Sequence, residues 1–226
     1  MKKVSINSLV LTASLISIAI VIDIVGSALP VFNLSMPFGG KFFGISMIPL
    51  AFVGVLFGVK HGLVAGFIYA MYNFSADYIV YIDALRTTLE SWTGETWGIG
   101  KIMVLILLDY VIPFTALGFT GIFYKRNKTL LNVILGVIFS VVIRLISASL
   151  SGVVLWSSSI AYAVSEVELG NMEANIATNI FELFNGNVFM YSLGYNFVYL
   201  FTTLFVSVIL MIPIYERVIR KQLIDQ

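Results

Sequence analysis

The sequence predicts an all-α integral membrane protein: six transmembrane helices in a compact bundle, with both termini cytoplasmic. Three observations predict it. Hydrophobic residues make up 59% of the 226 positions and charged residues 11%, where ordinary soluble domains run at roughly 45–50% and 25%. Apolar runs near bilayer-crossing length recur six times between polar segments, at about 8–29, 43–59, 63–74, 102–123, 130–156 and 189–215. Six crossings put both termini on one side. Nine of the 13 Lys and Arg then fall on that side, while Lys41, Arg86 and Lys101 fall opposite and Arg144 lies within the membrane.

Composition also closes some routes. With no Cys there is no disulfide, thiolate nucleophile or thiolate metal site, and a single His rules out metal centres built on His pairs. No metal is expected. A net charge of +1 says little about partners; membrane lipid is expected among them, nucleic acid is not.

Taken in order, Lys2 and Lys3 precede the first span. A cleaved signal peptide is the rival reading, because Ser27 and Ala28 offer small residues, but the apolar core exceeds a signal h-region. Ala13 and Ser17 form a small-xxx-small pair that lets another helix approach closely. The outer loop 30–42 is rich in Pro and Gly. Pro49 breaks the second span, and Lys60-His61-Gly62 is expected to turn the chain into the third. Gly54, Gly58, Gly62 and Gly66 recur every four residues and read as close packing around that turn. The outer loop 75–101 holds acids with Trp92 and Trp97 and suits an interfacial segment with a short helix. The basic turn YKRNK follows the fourth span, the polar, acidic outer loop 157–188 the fifth, and ERVIRKQ the sixth. The whole chain, 1–226, reads as a single membrane domain.

Polar groups inside the spans stand out, since a carboxylate in hydrocarbon costs at least ~2.5 kcal/mol and must face protein or a water-filled cavity. At about 1.5 Å of rise per residue, Asp23, Asp109 and Asn196 each lie roughly 10 Å from the outer ends of their helices. Trp156 ends the fifth span and Tyr110 neighbours Asp109. Polar content gathered in the outer half describes a cup open to the outside instead of a pore lined along its length. Arg144 sits deeper, roughly 18 Å down, with Ser147 and Ser151 on its face. It either fixes the bundle through an internal ion pair or bonds to backbone carbonyls, or forms the floor of the cup. Tyr191 and Tyr195 share one face of the sixth helix, Ser192 and Asn196 the next. The tyrosines fit an interfacial belt as well as a site, whereas a primary amide in the apolar zone needs partners. Aromatics with an acid in a half-buried cup suit a cation or a flat heterocycle.

These residues resemble the substrate-binding S components of energy-coupling factor vitamin transporters, most closely the thiamine-specific type. The resemblance rests on P-x8-G-x3-G-L-x-A-G from Pro49 to Gly66, Asp109-Tyr110 followed by Pro113 and Gly118, Trp156 closing the fifth helix, and Tyr191-Ser192-Leu193 with Asn196. It implies that Asp109 and Asn196 contact the aminopyrimidine of thiamine while Tyr110, Trp156 and Tyr191 stack its rings, with Tyr195 beside them and Arg144 in the family's basic position. The family acid is usually Glu, here Asp109. A family His is replaced by Ala148. The longer loop before the fourth helix leaves Tyr78, Tyr81, Trp92 and Trp97 unassigned. The resemblance further implies docking of Ala13 and Ser17 on a transmembrane coupling subunit, and a multi-pass location in a prokaryotic plasma membrane.

No energy source is visible in the chain. Gly98-Ile99-Gly100-Lys101 comes nearest to a phosphate-binding loop, but Glu95 stands where that motif needs Gly and Ile102 where it needs Ser or Thr. No cofactor is expected; ATP is expected to be bound by two partner ATPase subunits. Two rivals remain: an S component for another small heterocyclic or carboxylated vitamin, whose charge Arg144 meets, and an intramembrane enzyme pairing Asp23 with Asp109. The second needs both carboxylates within reach of one substrate. No catalytic residue is otherwise expected.

Overall fold

The computed structural model describes residues 6–79 and 82–219, and every named element in it is helical. Lys2, Lys3, Tyr81, Arg220 and Lys221 lie outside the described residues, as does the side chain of Tyr78.

In chain order the helices are α1 (Ile6–Ala28), α2 (Met47–Phe57), α3 (Val59–Phe74), α4 (Ile82–Thr93), α5 (Ile99–Leu105), α6 (Ile112–Thr115), α7 (Leu130–Val154), α8 (Ser157–Glu168), α9 (Ile176–Leu183) and α10 (Val188–Ile214). Among the described residues, four stretches are long and apolar enough to cross a membrane: Ile6–Ala28, Ile99–Gly121, Leu130–Val154 and Val188–Arg217. The expected spans at 43–59 and 63–74 fold as the 11-residue α2 and 16-residue α3, each below that length.

Three expectations about local structure are corrected. The turn lies at Gly58, where φ is 87°, and not at Lys60-His61-Gly62, which form the start of α3. Gly58 closes α2 by donating its N–H to the Gly54 carbonyl at 3.0 Å, in a backbone conformation that costs glycine little. The polar segment 157–188 is not a loop but carries α8 and α9. An Asn175 capping box starts α9, and Ile160, Ala177, Ile180 and Phe181 pack it and α8 against Tyr191 and Tyr195. The fourth span is helical from Ile99 but irregular, with a π turn at Ile106–Val111 and a 3-10 turn at Ala116–Gly121.

The π turn has a local cause. Pro113 has no N–H for the Asp109 carbonyl, and the ladder widens instead, so that the Ile112 N–H bonds Leu107. The Leu108 carbonyl, left over, accepts the Ser147 hydroxyl at 2.7 Å. Asp109 and Tyr110 are therefore presented from a widened turn tied to α7.

Glycines let the segment after that turn sit against α2 and α3. A Cβ on Gly62 would lie 2.6 Å from the Gly118 Cα and 2.8 Å from the Gly54 Cα. Apolar clusters around Ile48, Val133 and Met211, and around Leu50, Tyr69 and Leu117, fill the bundle below. Phe197, Phe201 and Phe205 recur every four residues on the exposed face of α10, as a lipid-facing stripe does.

Candidate functional site

α1, α3 and α7 finish at one end of the bundle, and α2 and α10 begin there. Among these ends lies a cavity of about 550 Å³. Its walls are stripes of residues spaced by four, the interval at which helical side chains stack on one face. Tyr69, Asn73 and Asp77 form one, Arg144, Ala148, Gly152 and Trp156 a second, Tyr191, Tyr195 and Tyr199 a third. Asp109 and Tyr110 complete the wall from the π turn.

All seven residues expected at a ligand site, Asp109, Tyr110, Arg144, Trp156, Tyr191, Tyr195 and Asn196, line this one cavity. They come from three stretches of chain. The Trp156 indole N–H donates to Asp109 Oδ2 at 3.1 Å, leaving Oδ1 without that bond. The Tyr110 hydroxyl donates to Asp77 Oδ2 at 3.2 Å. The Asn196 amide is oriented from both ends: Oδ1 accepts from the Tyr199 hydroxyl at 2.8 Å and Nδ2 donates to the Ser192 carbonyl at 2.8 Å. In turn the Ser192 hydroxyl bonds the Ser149 carbonyl at 2.9 Å, which sets the register of α10 on α7.

Tyr195 does more than present a ring. Its hydroxyl accepts from the Phe38 N–H at 2.8 Å and donates to the Gly39 carbonyl at 3.1 Å, strapping the loop before α2 across the cavity wall. Lys41 on the same loop pairs with Asp23 of α1 at 2.8 Å. Asp23 and Asp109 both border the cavity and hold different partners, Lys41 and Trp156.

Arg144 is 6% exposed, forms no ion pair among the described residues, and its Nε has no hydrogen-bond partner. The loop tryptophans do not line the cavity. Trp97, 2% exposed, packs behind Trp156 with ring centres 5.5 Å apart. Trp92 stacks on Tyr162 at 5.6 Å. Ala13 and Ser17 lie on the outward face of α1, while Thr12, Ile16 and Ala19 face the bundle.

The sequence reading placed Asn73 with the outer polar groups but not among the ligand contacts, and it missed Asp77, Lys41, Tyr69 and Tyr199 at the cavity. Two of the stripes carried a usable signal, because Tyr199 extends Tyr191 and Tyr195 by one turn and Tyr69, Asn73 and Asp77 keep the same spacing. Lys41 carried none. Burial pushes the Asp77 carboxyl up from its ordinary value, opposed by the Tyr110 hydroxyl and Lys41 and reinforced by Asp23.

No curated protein sequence matches the chain. Residues 9–184 match the family described as thiamine transporter protein, Thia_YuaJ. The match takes in Asp109, Tyr110, Arg144 and Trp156 and stops before Tyr191, Tyr195 and Asn196. With more than three quarters of its length matched, this multi-pass membrane chain belongs to the thiamine transporter protein family.

Proposed function

We propose that the cavity holds thiamine, and that the chain is the substrate-binding subunit of an ATP-driven importer of the energy-coupling factor type. One observation carries the reading: seven polar and aromatic residues, chosen from the sequence for a thiamine-like ligand, border a single cavity in a chain of the thiamine transporter family. Asp109 Oδ1 accepts from the exocyclic amine of the pyrimidine, and Asn196 supplies a second polar contact. Trp156, Tyr110, Tyr191 and Tyr195 surround the rings, where aromatic faces attract the thiazolium charge. A volume of about 550 Å³ is within the range of small-molecule sites.

The chain crosses the membrane six times in this reading, α2 and α3 being short crossings, with cytoplasmic termini and the cavity facing outside. It resides in a prokaryotic plasma membrane. Ala13 and Ser17 dock on a transmembrane coupling subunit, and two partner ATPases supply the energy.

Titration of the purified protein with thiamine, read by intrinsic Trp fluorescence and by calorimetry, tests the assignment. Saturable binding lost in Asp109→Ala is the expected result, with Trp156→Ala weakened in the calorimeter. Absence of binding by the natural chain, or unchanged affinity in both variants, overturns it.

A further inference from the structure

The charges around the cavity are not those a simple cation needs. Asp23, Asp77 and Asp109 are acids, and the first holds Lys41 while the third is bonded to Trp156. Arg144 is a permanent cation on the same lining with no carboxylate partner among the described residues. A guanidinium carries five donors and cannot shed its charge. Burying one with an unbonded Nε is unfavourable unless an anion meets it.

Register places it. Ser149 of α7 is bonded to Ser192 of antiparallel α10, so Arg144, five residues down α7, lies on the level of the Asn196–Tyr199 turn. Its side chain leans toward the start of α7, away from the end where Trp156 holds Asp109. The Tyr199 hydroxyl is already committed to Asn196. The floor thus offers unspent donors from Arg144, and the wall above it offers acids and rings.

We propose that Arg144 forms an anion-binding subsite at the floor of the cavity, which takes a small anion in the empty cavity and holds it more tightly when the cation-binding part above it is occupied. The subsite itself is independent of the thiamine assignment; its coupling to cargo rests on that reading. The negative charge comes free from solution, as chloride, or is carried by the cargo as a phosphate ester. Either places an anion on the guanidinium fork and balances the charge that the cation brings in.

Three measurements on the purified full chain test this. Chlorine-35 line broadening without cargo is expected for the natural protein and for Arg144→Lys, and is expected to vanish in Arg144→Gln. Thiamine titrations in chloride against gluconate are expected to show about tenfold tighter binding in chloride when the anion is free. Thiamine monophosphate is expected to bind about tenfold tighter than thiamine when the cargo carries it. Whichever preference appears must be lost in Arg144→Gln and kept in Arg144→Lys. Equal line broadening in all three proteins, an adventitious ion only, overturns the subsite, as does the same pair of preferences in Arg144→Gln and the natural chain. Broadening that depends on Arg144 in a protein that binds no thiamine sustains the subsite and rejects the cargo assignment alone.

Discussion

The Trp156 indole N–H reaches Asp109 Oδ2 at 3.1 Å across 47 residues of chain, joining the end of α7 to the π turn of the preceding span. One side chain is the acid and the other the ring that the proposed ligand needs, so the bond aims both. Hydrogen bonds to charged groups contribute ~1.5–3 kcal/mol. Asp109→Asn is therefore expected to weaken thiamine binding by about 10- to 100-fold, at 1.4 kcal/mol per factor of ten. Trp156→Phe, which keeps a ring and loses the N–H, is expected to cost about tenfold. The double variant should cost less than the product of the two, and calorimetry on all four proteins gives the coupling.

Tyr195 ties the loop before α2 through Phe38 and Gly39. Tyr195→Phe keeps the ring and breaks both bonds, each contributing ~1 kcal/mol. Thiamine is expected to leave about tenfold faster, with the association rate little changed, in stopped-flow fluorescence. Equal dissociation rates would show that the strap does not hold the occupied state.

Asp77 supplies a pH dependence. Its pKa is raised, so on acidification it gains a proton at a pH where an ordinary aspartate is still ionised. The neutral carboxyl no longer attracts a cation, and thiamine affinity should fall as pH drops through that raised value. Asp77→Asn should be weaker at neutral pH and lose this part of the profile. Identical profiles for the two proteins rule Asp77 out.

Gly62 tests the packing behind the site. A methyl group there meets backbone at Gly118 and Gly54, which cannot rotate away. Gly62→Ala is expected to destabilise by ~1–3 kcal/mol and to lower the melting midpoint in detergent. Gly100→Ala, where an added Cβ meets nothing within 4 Å, should leave the midpoint unchanged.

Much of this protein was legible in one dimension because a bilayer makes polarity expensive. Each polar group left inside an apolar run must have somewhere to face, so Asp109, Arg144 and Asn196 declared themselves before any contact was known. The same rule is silent about residues between the runs. Lys41 and Asp77 look like ordinary loop charges, and only the folding of their loops against α1 and Tyr110 brings them to the cavity. Helices in 157–188 were hidden for a related reason, since polar composition reads as loop while the sparse apolar positions, Ile160, Ala177 and Phe181, find their partners only across the bundle.

By itself, then, the sequence determined the membrane class, six apolar runs, four of which fold among the described residues as helices of crossing length, and the identity of the polar side chains those runs carry, because composition and period are local properties of the chain. The tertiary structure decided that Asp109, Arg144, Trp156, Tyr191, Tyr195 and Asn196 share one cavity, which of them are held by Tyr199, Phe38 and Ser192, and that Arg144 stands there without an ion pair among the described residues. Those facts depend on the register between α7 and α10 and on a π turn at Asp109, and register is set by contacts between residues tens of positions apart.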